Sequence, residues 1–301
     1  MGLQLPKRAR RVTAWATVSF GMLLVGACSS QDQAQIKRLA MPQPATDRAP
    51  YTYDLWRWTW LAAILVGILV WGLIGYAAWR FRRRSDDEVP VQTRYNLPIE
   101  VLYTIAPIVM VLVFFFFTVN TQDKVLAGKD TGTADHNVTV VGQQWSWTFN
   151  YVKDKALDGQ TTVYTAGTPA QLPTLWLPVN ETVHITLTSP DVIHSFWVPA
   201  FLFKMDVIPG RENDYTFTPT KVGTYAGKCA ELCGVYHSRM LFNVKVVTPE
   251  QYAAHLKQLQ QQGFTGMAMG GANADTEAGL KNPGSRDTIK QNESVQKGAG
   301  S

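Results

Sequence analysis

Cys229, Cys233, His237 and Met240 lie within one short stretch, Cys229-Ala-Glu-Leu-Cys-Gly-Val-Tyr-His-Ser-Arg-Met240. Two thiols, an imidazole and a thioether make a soft donor set. Thiolate and thioether select copper over hard, oxygen-seeking cations, and imidazole also suits copper. Zinc more often takes four Cys or His ligands and leaves methionine out. Ala230 and Gly234 between the donors let the backbone curl and turn them toward one centre. A single loop rarely closes a coordination shell, so a further ligand is expected from a distant strand. His194, in Asp191-Val-Ile-His-Ser-Phe-Trp-Val-Pro199, is the candidate. Taken one at a time these residues have plainer roles: Cys229 and Cys233 as a disulfide, Met240 as core filler, His194 as a buried structural histidine. The combined spacing carries the copper reading.

The pattern Cys-x-Glu-x-Cys-x-x-x-His-x-x-Met, preceded by Asp-Val-x-His-Ser, resembles subunit II of haem-copper cytochrome c oxidase, in its bacterial lipoprotein form. The resemblance implies a dinuclear copper centre, CuA. Cys229 and Cys233 would bridge two copper ions, His194 and His237 would cap one each, and Met240 and the Glu231 carbonyl would be weak outer ligands. It also implies that the Glu231 carboxylate shares a magnesium ion with the catalytic subunit. Trp145, the first Trp of Gln144-Trp-Ser-Trp147, would lie at the docking surface and receive the electron from cytochrome c. Gln143 departs from the family, which often has His there. Lys204-Met-Asp206 and Ile208-Pro-Gly-Arg211 match segments that face the catalytic subunit. The implied function is to accept electrons from cytochrome c and pass them to haem-copper subunit I, which reduces dioxygen to water and pumps protons. Implied partners are subunit I, other oxidase subunits, and cytochrome c, either free or as a domain of an associated complex.

Hydrophobic residues make up 46% of the 301-residue chain and Trp occurs 10 times, which suits a protein that is part membrane and part globular domain. There are 3 cysteines, so Cys28 stands apart from the loop pair. The net charge of +5 includes Lys7, Arg8, Arg10 and Arg11, in a segment with the basic start and apolar run of a secretory signal. Its removal leaves roughly +1 and no basic patch for nucleic acid. The signal is placed at 1–27. Leu24-Val-Gly-Ala-Cys28 resembles a lipobox, which would make Cys28 a lipid-carrying first residue; an uncleaved apolar anchor is the alternative.

The elements that must position the donors follow. Residues 28–50 read as an extracytoplasmic linker, extended or weakly helical. A transmembrane hairpin is expected over 51–121, with charge-free runs at Trp58 to Trp79 and Val101 to Asn120, each long enough to cross a bilayer. Trp56, Trp58, Trp60 and Trp79 mark the interfaces, and Arg80-Phe-Arg-Arg-Arg84 marks the cytoplasmic side. The larger C-terminal part then lies outside a bacterial plasma membrane. Pro107 interrupts the second run, which neighbouring groups must compensate. Glu100, on physics alone, reads as a helix-start acid favoured by the dipole. In the family the matching acid of Asn96-x-x-x-Glu100 marks the mouth of a proton channel.

The outer domain is placed at 122–248, and from about His136 the pattern changes to short alternating runs. Thr182-Val-His-Ile-Thr-Leu-Thr188 sends Val183, Ile185 and Leu187 to one face and His184 to the other, solvent-facing one. Similar runs at 137–142, 213–218 and 242–247 predict an all-β sandwich or barrel with the copper loop at one end. Parallel pairing is not expected, since no helical segments intervene. Trp147 and Phe149 are expected in the core. The resemblance makes the fold class membrane-anchored all-β: a two-helix transmembrane hairpin followed by a cupredoxin-like Greek-key β-barrel. A short helix is expected over 249–262 and a disordered tail over 263–301. His255 and Met267 receive no role.

Two rivals stand beside this reading. A membrane-tethered copper chaperone would show thioredoxin-like βαβ units and no use for Met240. A copper-free structural subunit of a quinol oxidase would lack the Cys pair. Nitrous oxide reductase shares the copper loop but carries a much larger second domain.

Overall fold

The computed structural model describes residues 30–85, 88–90, 92–128, 133–168 and 170–270. The signal segment and Cys28 lie outside them. Ser30–Lys37 forms a short helix, α1, with Asp32 in its first turn and Lys37 in its last, the order the helix dipole favours.

Two long apolar helices follow, α2 (Ala49–Arg80) and α3 (Leu97–Leu126). At 1.5 Å per residue each exceeds the roughly 30 Å hydrocarbon core, and both extend past the charge-free runs. Asn96 caps α3 by accepting the Ile99 amide at 3.4 Å, while Glu100 Oε1 accepts the Asn96 amide at 2.9 Å. The apolar stretches of α2 and α3 are not buried by the chain itself, so their side chains face lipid or a partner. At the other end Arg48 Nη1 donates to the Lys124 carbonyl at 3.0 Å, joining the two helices. The chain before α2 is tied to the β domain: Thr220 N donates to the Ala45 carbonyl and Thr218 N to Asp47 Oδ1.

The β domain is two five-stranded sheets face to face. One has the order β3-β2-β1-β5-β8, with β1 His136–Gln143, β2 Ser146–Tyr151, β3 Val163–Ala166, β5 Val183–Thr188 and β8 Asn213–Phe217. The other has the order β4-β10-β9-β6-β7, with β4 Thr174–Pro178, β6 His194–Val198, β7 Phe203–Val207, β9 Gly223–Cys229 and β10 Leu241–Val247. Phe149, Ile185, Phe196, Phe242 and Val244 fill the space between them. Each such burial is worth about 1.5–3 kcal/mol. Trp147 and Phe149 are fully buried, as expected.

Three expectations need correction. β1 pairs with β5, and β4 with β10, in parallel. The crossovers pass through the opposite sheet, so no helix is needed. His184 is buried at 3% exposure, its Nδ1 2.9 Å from Thr216 Oγ1 on the neighbouring strand. It does lie on the face opposite Val183 and Ile185, but that face is covered. Residues 263–270, placed above in a disordered tail, pack on the β domain after the C-terminal helix α4 (Pro249–Gln261). Residues 271–301 are not among those described.

Candidate metal centre

β6, β9 and the loop into β10 bring the donors together. Phe196 on β6 pairs with Cys229 at the end of β9, which sets His194 beside the loop. Ala230 N donates to the Ser195 carbonyl at 3.0 Å, and Cys229 N to the Met240 carbonyl at 3.0 Å, closing the loop on itself. Gly234 has φ +126, and a Cβ placed there would come within 3.1 Å of the Trp145 indole nitrogen. A side chain there would meet both a strained backbone and that ring.

Cys229 Sγ lies 3.9 Å from Cys233 Sγ, 3.9 Å from His194 Nδ1 and 3.2 Å from the Glu231 carbonyl oxygen. Cys233 Sγ lies 3.6 Å from His237 Nδ1 and 3.7 Å from Met240 Sδ. A disulfide has sulfurs about 2.05 Å apart; both thiols here are free. His194 and Met240 are fully buried and the two cysteines nearly so. All six sequence-predicted positions thus lie around the two sulfurs, with His237 half-buried and the Glu231 side chain exposed.

The electrostatics fit a soft cation. The Cys229 thiol is held well below its usual range, first by its hydrogen bond with Cys233 and then by His194. Cys233 is pushed up, first by that same hydrogen bond and then by burial. Two adjacent thiolates repel, so the pair ionises fully only with positive charge between the sulfurs. His194 Nε2 lies 2.9 Å from Asp191 Oδ1. That carboxylate accepts a hydrogen bond from Nε2–H, an arrangement that would leave the Nδ1 lone pair to a cation held beside Cys229. Burial acts to lower the His194 pKa, but hydrogen bonds to Asp191 and Cys229 outweigh it and the net shift is upward.

Asp191 Oδ2 accepts the Gln144 amide at 2.7 Å, and Gln144 Nε2 donates to the Cys233 carbonyl at 2.6 Å. Trp145 Nε1 donates to that carbonyl at 3.3 Å. The Trp145 ring stands edge-on to Tyr236 and is 8% exposed, so the residue expected at a docking surface reaches solvent only by a sliver. Sequence reasoning missed Asp191 and Gln144 as supports for the ligands. The Asp in the Asp-Val-x-His stretch, three residues before the ligand His194, was the available signal.

Glu100 sits at the far end of α3, in the cap described above. The Glu231 side chain is exposed and lines a cavity of about 700 Å³ with Lys204, Asp206 and Arg211, beside the outer ends of α2 and α3.

The model for the cytochrome c oxidase subunit II periplasmic domain matches residues 136–247, and that for its transmembrane domain matches 34–120. A probable cytochrome c oxidase subunit 2 of Streptomyces avermitilis is 45% identical over 302 residues, covering 88% of this chain and 92% of the relative. The chain belongs to the cytochrome c oxidase subunit II family. Cytochrome c oxidase subunit 2 of Corynebacterium diphtheriae is 33% identical over 308 residues, covering 82% and 84%. Among solved structures, the periplasmic domain of subunit II from Bradyrhizobium japonicum is 31% identical, covers 43% of this chain and 96% of that one, and has a TM-score of 0.38. The chain is thus the electron-entry subunit of a cytochrome c oxidase, an oxidoreductase complex. It is a bacterial membrane protein with two spanning helices and an extracytoplasmic β domain. The family implies a copper centre, and the donor set described above is chemically suited to it.

Proposed function

We propose that this centre would hold two copper ions, through the Cys229 and Cys233 thiolates, the His194 and His237 imidazoles, the Met240 thioether and the Glu231 carbonyl. The carrying observation is the convergence of the donors: sulfurs 3.9 Å apart, each with an imidazole nitrogen within 3.9 Å. When bound, a thiolate-bridged copper pair supplies a one-electron centre that spreads the charge over both ions. The protein keeps that change from dragging nuclear motion with it. His194 is fixed by Asp191, Cys229 by the bond from its amide to the Met240 carbonyl, and Met240 by complete burial. Trp145, hydrogen-bonded to the Cys233 carbonyl, is the residue through which electrons arrive from cytochrome c or a cytochrome c domain of an associated complex. Its direct hydrogen bond to the Cys233 backbone supports that role.

The cavity beside Glu231, Lys204, Asp206 and Arg211 is the face we assign to subunit I, with the Glu231 carboxylate offered to a shared magnesium ion. Glu100, at the cytoplasmic end of α3, is assigned to the mouth of the proton channel. Cys28 is assigned the lipid, after cleavage of 1–27. The chain then divides into an extracytoplasmic linker to residue 50, a hairpin over 51–121, a copper domain over 122–248, a helix to 262 and a tail. Neither the chaperone nor the quinol-oxidase reading is favoured, because all six ligands are present on a β sandwich.

The test is copper per chain with near-infrared and electron paramagnetic resonance spectra of the purified oxidase. Two coppers sharing one unpaired electron, lost in Cys229→Ser, support the reading. One copper with a single-nucleus signal would defeat it.

A further inference from the structure

The residues after α4 form a strap across the first sheet. The Phe264 carbonyl accepts the Tyr164 amide at 3.1 Å, and Gly266 N donates to the Thr162 carbonyl at 2.9 Å. Thr265 bridges Val163, so the strap pairs with the otherwise open edge of β3. Phe264 packs edge-on against Tyr164 at 5.6 Å.

Further along, Asn150 of β2 holds the strap with both ends of its amide. Ala268 N donates to Asn150 Oδ1 at 2.7 Å, and Asn150 Nδ2 donates to the Ala268 carbonyl at 3.0 Å. Asn150 and Ala268 are both fully buried. A two-pronged buried amide latch is more than a passing tail contact, since breaking either half leaves a desolvated polar group.

The last described residue of the strap lies against Gln143. Gly270 has φ +68, and a Cβ built there would lie within van der Waals overlap of the Gln143 side-chain oxygen and carbon. Gln143 is 3% exposed. It is the last residue of β1, directly before Gln144 and Trp145, whose side chains both reach the Cys233 carbonyl. The Gln144 amide also holds Asp191, which holds His194. A continuous line of contacts thus runs from Asn150 and the strap, through Gln143, to the corner that touches the copper loop.

We infer that residues 264–270 are a positioning strap, latched by Asn150, that holds the Gln143–Trp145 corner against the copper loop and so sets how well electrons pass from the donor. This rests on the assignment of Trp145 as the point where electrons arrive. Asn150 and Gly270 are positioning residues and touch no reacting atom.

The test uses the assembled oxidase with three variants: a chain ending at Gly270, a chain ending at Gly263, and Gly270→Ala in the full chain. Amide hydrogen exchange of the 143–147 segment, copper content, unfolding midpoint and the KM for reduced cytochrome c are read in each. Ending at Gly270 should change nothing. Ending at Gly263 should speed exchange at 143–147 and raise KM severalfold with copper content kept, and Gly270→Ala should do the same more weakly. Unchanged exchange in the chain ending at Gly263 overturns the inference. So does loss of copper together with a collapsed unfolding midpoint, which would make the strap a fold element only. Trp145→Phe is the control: if it leaves electron uptake intact while exchange still rises on strap removal, the Trp145 assignment falls and the strap's hold on the corner stands.

Discussion

Two buried histidine clusters sit toward opposite ends of β1, about 20 Å apart by strand rise, and they are built from similar parts to opposite ends. At the start of β1, His136 Nδ1 lies 2.8 Å from Asp154, and its Nε2 faces Glu181. Asp154 also accepts from the Tyr252 hydroxyl at 2.7 Å and the Ala156 amide at 2.8 Å. Both imidazole nitrogens meet carboxylates, which raise the ring's pKa against burial and favour the form with a proton on each nitrogen. That cluster is closed, and it ties α4 to the sandwich. At the other end His194 meets one carboxylate, and its second nitrogen faces sulfur. Two thiols, a thioether and a carbonyl complete that cluster with few protons to share among them. A His–Asp pair is therefore a strut where both nitrogens are satisfied by protein, and a ligand with its support where one nitrogen is left for a soft cation.

The comparison is broken most severely at the open cluster. Cys229→Ser removes one of the two sulfurs proposed to hold copper, and oxidase turnover should fall to background with copper lost, while the unfolding midpoint of the copper-free protein hardly moves. A variant that still turns over would show the sulfur is no ligand. At the closed cluster the reverse is expected. Asp154→Ala leaves His136 and the Tyr252 hydroxyl buried without their partner and should cost about 3–5 kcal/mol in unfolding free energy, with copper per folded chain unchanged. Equal stability to the wild type would mean the cluster is not a strut.

Asp191→Ala tests the support alone. Copper affinity should drop about 10–100-fold, as for other partners that orient a metal-binding imidazole, with a smaller stability loss than Asp154→Ala because Asp191 is more exposed. Competition with a chelator measures it, and an unchanged affinity would leave Asp191 a bystander.

The smallest effect is on pH dependence. Against the opposing effect of burial, the carboxylates raise the His136 pKa, so its contribution is complete below about 6.5 and lost as pH rises through the raised value. Hydrogen bonds to His136 and Tyr252 lower the Asp154 pKa despite burial, so its contribution holds above about 3.9 and is lost as pH falls through the lowered value. His255, stacked on Trp176 at 4.2 Å, is lowered to about 4 by burial and by Lys245. It stays neutral in the fold while the unfolded chain protonates, so stability falls as pH drops from about 6.5 toward its folded value. His255→Gln should remove that acid-side slope and leave the alkaline one, as followed by unfolding midpoints across pH.

Much of the site was legible because its chemistry is local. Cys229, Cys233, His237 and Met240 lie on one loop, and donor type alone narrows the metal. The two spanning helices were legible from apolar length. The supports were not. Gln144 and Asp191 are 47 residues apart and meet only because β1 and β6 end at the same edge of the sandwich. His184 obeys the alternation that pointed it outward, but alternation assigns a face, not whether that face is covered. The strap looks like a low-complexity tail because it binds mostly through backbone groups that any residue carries.

Residue chemistry by itself determined the copper-type donor set, the membrane hairpin and its direction, and the β character of the outer domain, since each depends on composition or on spacing within one segment. Only the tertiary structure decided which buried histidine meets two carboxylates and which meets one carboxylate and a sulfur, where Trp145 stands relative to the Cys233 carbonyl, and that residues 264–270 bear on Gln143. Those depend on strand pairings between distant segments, whose register is set by the whole core at once.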